Sequence, residues 1–164
     1  MARALIVGCG CRGRELGRSL IARGWQVRGT TRSAESVAAI EAAGIEGVVA
    51  DPDRIDTLVD EVADVALIVW LLGSATGAPE AVAALHGPRL ARLLEEIVDT
   101  PVRGFVYEAS GALVPETLVG AMQTLRDAGE RWRIPFEVVD AAGGDLELWR
   151  EGMLAAAEEL VGPA

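Results

Sequence analysis

Short apolar runs rich in β-branched residues alternate along the chain with longer segments whose apolar residues recur at helical spacing. The runs predict six strands, at residues 4–8, 25–31, 45–51, 64–73, 102–110 and 135–141. The intervening and following segments predict helices at residues 11–23, 33–44, about 54–62, 79–98, 115–132 and 144–161. The sequence HGP at 86–88 marks a potential break in the helix over 79–98.

The first, fourth and fifth strands are almost wholly apolar, as is typical of strands covered on both faces. Six strand–helix units in succession predict an α/β fold, a three-layer, doubly wound parallel sheet of Rossmann type. The expected strand order is 3-2-1-4-5-6.

A glycine pattern, Gly8-x-Gly10-x-x-Gly13, joins the first strand to the first helix. In a dinucleotide site Gly8 permits the tight turn, Gly10 lets a pyrophosphate approach the backbone, and Gly13 allows close packing. The first helical N–H groups, beginning at Cys11, would face the anion. The alternative is that these glycines only shape a turn. We favour the site and expect residues 1–164 to form a single dinucleotide-binding domain.

The second strand ends in Thr30 and Thr31, and Arg32 and Ser33 follow it. An NAD site usually has a carboxylate at this position for the ribose 2′-hydroxyl. Arg32 is suited to a 2′-phosphate, and Arg12 would reach the same group from the glycine loop. Thr30, Thr31 and Ser33 would donate further hydrogen bonds, and Ser33 is also the predicted cap of the second helix. The alternative is that Arg32 is a solvated surface charge. The sequence favours NADP over NAD.

Ligands of doubly wound sheets bind at the carboxyl ends of the strands. By this rule Asp51, after the third strand, is expected near the adenine amino group, unless it only caps the turn DPDR. Leu72 and Gly73, at the end of the fourth strand, are expected near the ribose on the nicotinamide side.

Three segments resemble the short-chain dehydrogenase/reductases, in particular their atypical and extended branch, the NAD-dependent epimerase/dehydratase-like proteins. They are LIVGCGCRGRELGRSLIARGWQVRGTTRS (5–33), VRGFVYEASGA (102–112) and RWRIPFEVVDA (131–141). The resemblance implies a Rossmann fold that binds NAD(P), with Ser110 at the position of the serine that follows the fifth strand in this family.

The chemistry of that family depends on a Tyr-x-x-x-Lys pair, in which the lysine lowers the pKa of the tyrosine. This sequence contains no lysine, and its only tyrosine, Tyr107, lies inside the predicted fifth strand. Extended members also carry a C-terminal substrate lobe, so the resemblance is to a truncated member without the catalytic pair. It implies the cofactor role and not the usual catalytic role.

Other groups are candidates for chemistry. Ser110 and Glu108 are catalytic candidates at the end of the fifth strand, although a structural role is favoured for Glu108. Cys9 and Cys11 lie at a helix N-terminus, which lowers a thiol pKa, but small residues that fit a crowded loop are the favoured interpretation. His86, the only histidine, is either a general base or part of a helix kink. No metal site is expected.

The formal net charge of −10 argues against nucleic acid or an anionic membrane as a partner. We expect a cytoplasmic protein, since neither a signal peptide nor a membrane-spanning run is apparent. The last helix either covers the sheet or forms a homodimer through the C-terminal helices. Three functions remain open: an NADP(H)-binding sensor or regulator, as in nitrogen-metabolite-repression-type regulators; an NADP-dependent oxidoreductase or epimerase-like enzyme with a non-standard catalytic group; and an assembly role without a ligand.

Overall fold

A computed structural model describes residues 1–110, 112–140 and 144–163. The strands are β1 (Arg3–Val7), β2 (Gln26–Thr31), β3 (Glu46–Val49), β4 (Leu67–Trp70), β5 (Gly104–Ala109) and β6 (Phe136–Asp140). The helices are α1 (Cys11–Ala22), α2 (Val37–Glu41), α3 (Ile55–Val59), α4 (Pro79–His86), α5 (Pro88–Glu96), α6 (Pro115–Trp132) and α7 (Leu146–Val161). A 3₁₀ turn at Ala34–Ser36 precedes α2.

The six strands form one parallel sheet in the order β3-β2-β1-β4-β5-β6, which confirms the predicted topology. Consecutive strands run outward from β1 in one direction and then from β4 in the other. The carboxyl ends of β1 and β4 therefore diverge into connections on opposite faces, and a crevice opens between them.

Successive residues of each strand face opposite sides of the sheet, so each strand contributes to two separate cores. Leu5 and Val7 pack in the core formed with α3, α4, α5 and α6. Ala4 and Ile6 pack in the core formed with α1, α2 and α7. Helices thus cover both faces, which confirms the three-layer fold and explains the apolar runs of the central strands.

The elements differ from their predicted bounds mainly at the ends. The predicted helix over 79–98 is two helices divided at Gly87, so the break expected at HGP is confirmed. Ser33 precedes the 3₁₀ turn without a side-chain capping hydrogen bond, so its predicted capping role is wrong. At α7, by contrast, the side chain of Asp145 does cap the helix N-terminus. The predicted sixth strand extended to Ala141, which lies outside the described residues.

Helix α7 covers the sheet with an apolar face that includes Trp149 and Met153. Trp149 and Met153 are buried against the core that α1 and α2 share. The sheet-covering alternative for this helix is therefore confirmed for these two residues. Leu146 and Leu148, in its first turn, are exposed.

Candidate functional site

The glycine loop between β1 and α1 is fastened to the end of β2. The N–H of Gly8 donates to Thr30 Oγ1 over 3.3 Å, and the N–H of Cys9 donates to the Thr30 carbonyl over 3.0 Å. Gly8 has a φ of +83°, and a Cβ there would lie 2.6 Å from the carbonyl oxygen of Leu71. Position 8 therefore requires glycine for purely structural reasons.

Gly10 lies in a different environment. Its φ is −80°, which any residue adopts, and a Cβ built on it meets no atom within 4 Å. Gly13, by contrast, packs closely, with its Cβ position 3.3 Å from the carbonyl oxygen of Gly8. Folding therefore explains glycine at positions 8 and 13 but leaves open space in front of Gly10.

The N-terminus of α1 faces this open space. The first turn of a helix has N–H groups without intrahelical partners, here those of Cys11, Arg12 and Gly13. No side chain caps the helix, and its first turn holds no acidic residue. The helix dipole and these N–H groups together favour an anion at this position.

A cleft of about 290 Å³ extends from the glycine loop past the ends of β2, β3 and β4. Its described lining is Gly8, Cys9, Gly10, Arg14, Thr30, Thr31, Arg32, Ser36, Ala50, Pro52, Leu71, Leu72, Ser74, Ala75 and Leu85. Two arginines and no carboxylate occur among these described residues. The cleft is thus positively charged in a protein whose net charge is −10.

The two cleft arginines are not neutralised by described neighbours. Arg32 is exposed and Arg14 is half-buried, and neither forms an ion pair within residues 1–110, 112–140 and 144–163. Arg14 donates only to the sulfur of Cys11, over 3.5 Å. Both guanidinium groups therefore remain available to a ligand.

The threonines of β2 mainly hold the protein together. Thr30 is buried, and its hydroxyl oxygen accepts the N–H of Gly8. The hydroxyl of Thr31 accepts the N–H of Ser33 over 3.2 Å. Ser33 itself does not line the cleft, whereas Ser36, one turn further, does.

Asp51 shapes the turn that follows β3. Its Oδ1 accepts the N–H of Asp53 over 2.9 Å, which is the turn-capping alternative considered from the sequence. The cleft is lined there by the residues on either side, Ala50 and Pro52. Contact between Asp51 and an adenine group remains a prediction.

Arg12 does not join Arg32, contrary to the prediction. Its guanidinium carbon lies 4.2 Å from the ring centroid of Trp149, and its Nη2 lies 3.4 Å from Glu108 Oε2. Helix α1 buries Gly13, Leu16, Gly17 and Leu20. Residues 12 and 14 stand about 100° to either side of Gly13 on the helix, so Arg12 leans toward α7 and Arg14 toward β2.

Glu108 is a buried carboxyl group in β5. It is 3% exposed, and its Oε2 accepts the Nε1–H of Trp149 over 2.7 Å. Burial raises the pKa of Glu108, while Arg12 and the Trp149 hydrogen bond act in the opposite direction. The favoured structural role of Glu108 is therefore present, since the side chain anchors α7 to the sheet.

Ser110 and Gly73 pack against each other beside Glu108. A Cβ on Gly73 would lie 2.5 Å from Ser110 Cβ and 3.1 Å from Glu108 Oε1. The hydroxyl of Ser110 accepts the N–H of Ala112 over 3.2 Å. Neither residue lines the described cleft, although Leu72 does. Their predicted contact with a cofactor remains a prediction.

The two cysteines differ in environment, and both are free thiols. Cys9 is buried, and this burial raises its pKa to about 11, so the expected lowering of its thiol pKa is wrong for this residue. Cys11 is exposed and lies at the open end of α1.

His86 closes a buried contact between α4, β4 and β5. Its Nδ1 lies 2.6 Å from the hydroxyl of Tyr107, and its Nε2 lies 3.1 Å from the carbonyl oxygen of Leu72. A neutral ring satisfies both contacts, with Tyr107 donating to Nδ1 and Nε2–H donating to Leu72. Burial lowers the pKa of His86 and raises that of Tyr107. Both ring nitrogens are engaged, which favours the structural interpretation over a general base.

Arg14 and Ser36 are among the cleft residues that were not predicted from the sequence. The signal for Arg14 was present in the helical phase, because the buried stripe through Gly13 and Leu16 places residues 12 and 14 on opposite flanks. From the sequence, Ser36 is only one residue of the helix predicted over 33–44. The 3₁₀ turn that brings it to the cleft has no clear sequence signal.

No protein-family model and no curated protein matches this sequence. Solved structures do match. A candidate NAD-dependent epimerase/dehydratase from Bacillus halodurans is 20% identical with a TM-score of 0.71, over 85% of this chain and 70% of that one. The UDP-glucuronic acid 4-epimerase of Bacillus cereus, solved with NAD, is 15% identical with a TM-score of 0.66, over 83% of this chain and 54% of that one.

A short-chain dehydrogenase/reductase superfamily protein from Agrobacterium tumefaciens, solved with bound NAD, is 22% identical with a TM-score of 0.65. The match covers 84% of this chain and 48% of that one. This chain has the Rossmann-type fold of the short-chain dehydrogenase/reductases. It spans about half the length of the epimerase and of the Agrobacterium protein.

Among residues 1–110, 112–140 and 144–163, no group of three or more His, Cys, Asp or Glu side chains is arranged to hold a metal ion. None of the described helices has the length and apolar character needed to cross a bilayer.

Proposed function

We propose that this chain binds a nicotinamide dinucleotide at the glycine loop and prefers NADP(H) to NAD(H). The observation that carries the proposal is the cleft itself. It joins an uncapped helix N-terminus to two arginines without ion pairs, Arg14 and Arg32, and its described lining contains no carboxylate.

The space in front of Gly10 supports a ligand rather than a purely structural loop. Folding requires glycine at position 8, but a Cβ built on Gly10 would meet no atom of the other described elements within 4 Å. A pyrophosphate at this position would accept hydrogen bonds from the first N–H groups of α1 and would contact Gly10 directly. A Cβ would occupy that space.

The proposed preference for a ribose 2′-phosphate rests on the residues at the end of β2. The ribose 2′-hydroxyl of NAD usually meets a carboxylate there, and this chain has Arg32. Arg14 lines the same cleft from α1, and Ser36 adds a hydroxyl group. Two guanidinium groups offer paired donors to a 2′-phosphate. NAD is bound in the Bacillus cereus and Agrobacterium tumefaciens proteins of the same fold, which supports the dinucleotide but not this preference.

The proposed contacts combine these residues with the other predicted ones. The pyrophosphate would meet Gly8, Gly10, Cys11 and Gly13, and the 2′-phosphate would meet Arg14, Thr31, Arg32 and Ser36. The adenine would lie near Ala50, Asp51 and Pro52. The nicotinamide half would lie near Leu72, in the segment that follows β4.

A sensor or regulator of the dinucleotide is the favoured role. The 164 residues supply no lysine for a Tyr–Lys pair, and Tyr107 is fully buried against His86. An NADP-dependent oxidoreductase or epimerase-like enzyme is the second candidate, and the observation that favours it is the buried carboxyl group of Glu108 next to the glycine loop. Homodimerisation through the C-terminal helices stays a prediction.

Titration of NADPH and NADH against the wild-type protein and Arg32→Ala tests the preference. We expect tighter binding of NADPH in the wild type and a selective loss of about tenfold or more for NADPH in Arg32→Ala, since one charge-assisted contact with the 2′-phosphate disappears. NADH affinity should change little. Arg103→Ala is the matched control, because Arg103 is an exposed arginine before β5, at the opposite end of the sheet.

Equal affinities for NADPH and NADH in the wild type would reject the NADP preference while leaving dinucleotide binding in place. An equal loss of both ligands in Arg32→Ala would show that Arg32 does not contact the 2′-phosphate. Tryptophan fluorescence and calorimetry both suit the measurement.

A further inference from the structure

A second pocket of about 210 Å³ adjoins the cleft at the glycine loop. The two spaces share Gly8, Gly10, Leu71 and Ser74. Cys11, Arg12, Gly13 and Glu108 line only the second. A ligand with a pyrophosphate at the start of α1 can therefore extend from the glycine loop in two directions, toward Arg32 or toward Glu108.

The two carboxyl oxygens of Glu108 have different environments. Oε2 has both fixed contacts, with Trp149 Nε1 at 2.7 Å and with Arg12 Nη2 at 3.4 Å. Oε1 accepts no hydrogen bond from the described residues. It is also not one of the described side-chain atoms that are fully buried without a hydrogen-bond partner. A Cβ on residue 73 would lie 3.1 Å from Oε1, so glycine at this position avoids crowding that oxygen. One oxygen is thus anchored and the other is open.

The anchoring role does not account for a second oxygen. Trp149 needs one acceptor, and an amide oxygen would provide it without the cost of burying an ionisable group. A carboxylate next to an anion-binding helix N-terminus also opposes phosphate binding, and Arg12 only partly offsets it. The position of Oε1 is therefore explained better by a ligand that carries hydrogen-bond donors beyond its phosphates.

We propose that Glu108 Oε1 accepts a hydrogen bond from a hydroxyl or amide N–H of the half of the dinucleotide that lies beyond the pyrophosphate. This inference rests on the proposed binding of NADP(H). In NADP that half carries two ribose hydroxyls and a carboxamide, and the adenosine half carries the 2′-phosphate. Glu108 then distinguishes the whole dinucleotide from its adenosine half.

Comparison of NADP⁺ with adenosine 2′,5′-bisphosphate at pH 8 tests the inference, because the bisphosphate keeps the adenosine, the 2′-phosphate and one 5′-phosphate. The readout is the ratio of their two Kd values in the wild type and in Glu108→Gln. The glutamine oxygen keeps the Trp149 hydrogen bond, and its NH₂ group faces the pocket where an acceptor is needed. We expect this ratio to shift by about tenfold against NADP⁺.

Arg14→Ala is the contrasting variant, because Arg14 lines only the cleft. It should weaken both ligands together and leave the ratio unchanged. An unchanged ratio in Glu108→Gln, whether both affinities rise or fall, would overturn the inference, since Glu108 would then act only as a charge near the phosphates. If neither ligand binds the wild type, the proposed function itself fails.

Alkylation of the wild-type protein by iodoacetamide gives a test without substitution. Cys11 is exposed and lines the second pocket, whereas Cys9 is buried with a raised pKa. Saturating NADP⁺ should slow the modification of Cys11 more than saturating adenosine 2′,5′-bisphosphate does. Equal protection by the two ligands would mean that the second half does not enter this pocket.

Discussion

Gly8 and Gly10 are two residues apart and are glycine for different physical reasons. At Gly8 the backbone has a positive φ, and the carbonyl oxygen of Leu71 fills the space that a Cβ would need. At Gly10 the backbone is ordinary and the space is empty of protein. The turn explains the first glycine, and the second is the one for which we propose a ligand.

Substitution by alanine should separate these two reasons. Gly8→Ala should lower the free energy of unfolding by about 2 kcal/mol or more, because a non-glycine residue is strained at this φ and also collides with Leu71. Gly10→Ala should cost only about 1 kcal/mol, because alanine is a poorer N-cap than glycine but its Cβ meets no described atom within 4 Å. Urea unfolding of both variants measures the difference. A large loss in Gly10→Ala would show that the chain itself needs this glycine.

At the residue scale, the sequence predicts which side chains are near the glycine loop better than it predicts where they point. Arg32 was placed correctly at the cleft because the end of β2 follows from the strand pattern. Arg12 was placed on the wrong side, since its direction depends on the phase of α1. The contact between Glu108 and Trp149 joins residues 41 apart in sequence, and no local pattern indicates it.

Helix α4 and strands β4 and β5 are joined by one side chain. His86, at the end of α4, bridges Tyr107 of β5 and the carbonyl oxygen of Leu72, beyond β4. Leu72 lines the cleft, so this contact fixes the position of one wall. A neutral imidazole fits this bridge, with Nδ1 accepting a hydrogen bond from the Tyr107 hydroxyl, and burial disfavours the protonated ring by lowering the pKa of His86.

The stability of the protein should therefore depend on the protonation of His86. Burial lowers its folded pKa, so below about pH 6.5 the unfolded chain binds a proton that the folded chain does not. This contribution is fully present above the unfolded pKa and is lost as pH falls toward the folded value, by at most about 1.4 kcal/mol per pH unit.

His86→Gln removes the titrating group and isolates this effect. Between pH 7.5 and 5.5, the unfolding free energy of the wild type should fall more steeply than that of His86→Gln, as measured by urea unfolding at several pH values. Parallel pH profiles for the two proteins would mean that His86 is as easily protonated in the folded state as in the unfolded chain.

At the element scale, strand order was predictable and strand length was not. Continuous apolar runs in β1, β4 and β5 required cover on both faces, and that requirement leads to the observed order. The predicted fourth strand covered 64–73, whereas the paired residues are Leu67–Trp70. Leu71, Leu72 and Gly73 are buried beside the crevice and are not part of β4. Because these residues are apolar like the strand itself, the sequence pattern does not show where the strand ends.

The whole molecule combines a strong negative charge with a positive cleft. The net charge of −10 disfavours polyanions such as nucleic acids, whereas Arg14 and Arg32 give the cleft a local positive charge that would favour a small anion. The same fold occurs in structures solved with NAD, at identities of 15% and 22%. At this identity the fold is shared and the ligand must be tested in this chain.

Calorimetric titration of the wild-type protein and of Gly10→Ala with NADPH decides whether a dinucleotide binds at the glycine loop. We expect one saturable site per chain in the wild type. In Gly10→Ala we expect a large loss of affinity without a comparable loss of stability, because the added methyl group would occupy the place of the pyrophosphate. No saturation of the wild type up to millimolar NADPH, or equal binding by both proteins, would contradict binding at this loop.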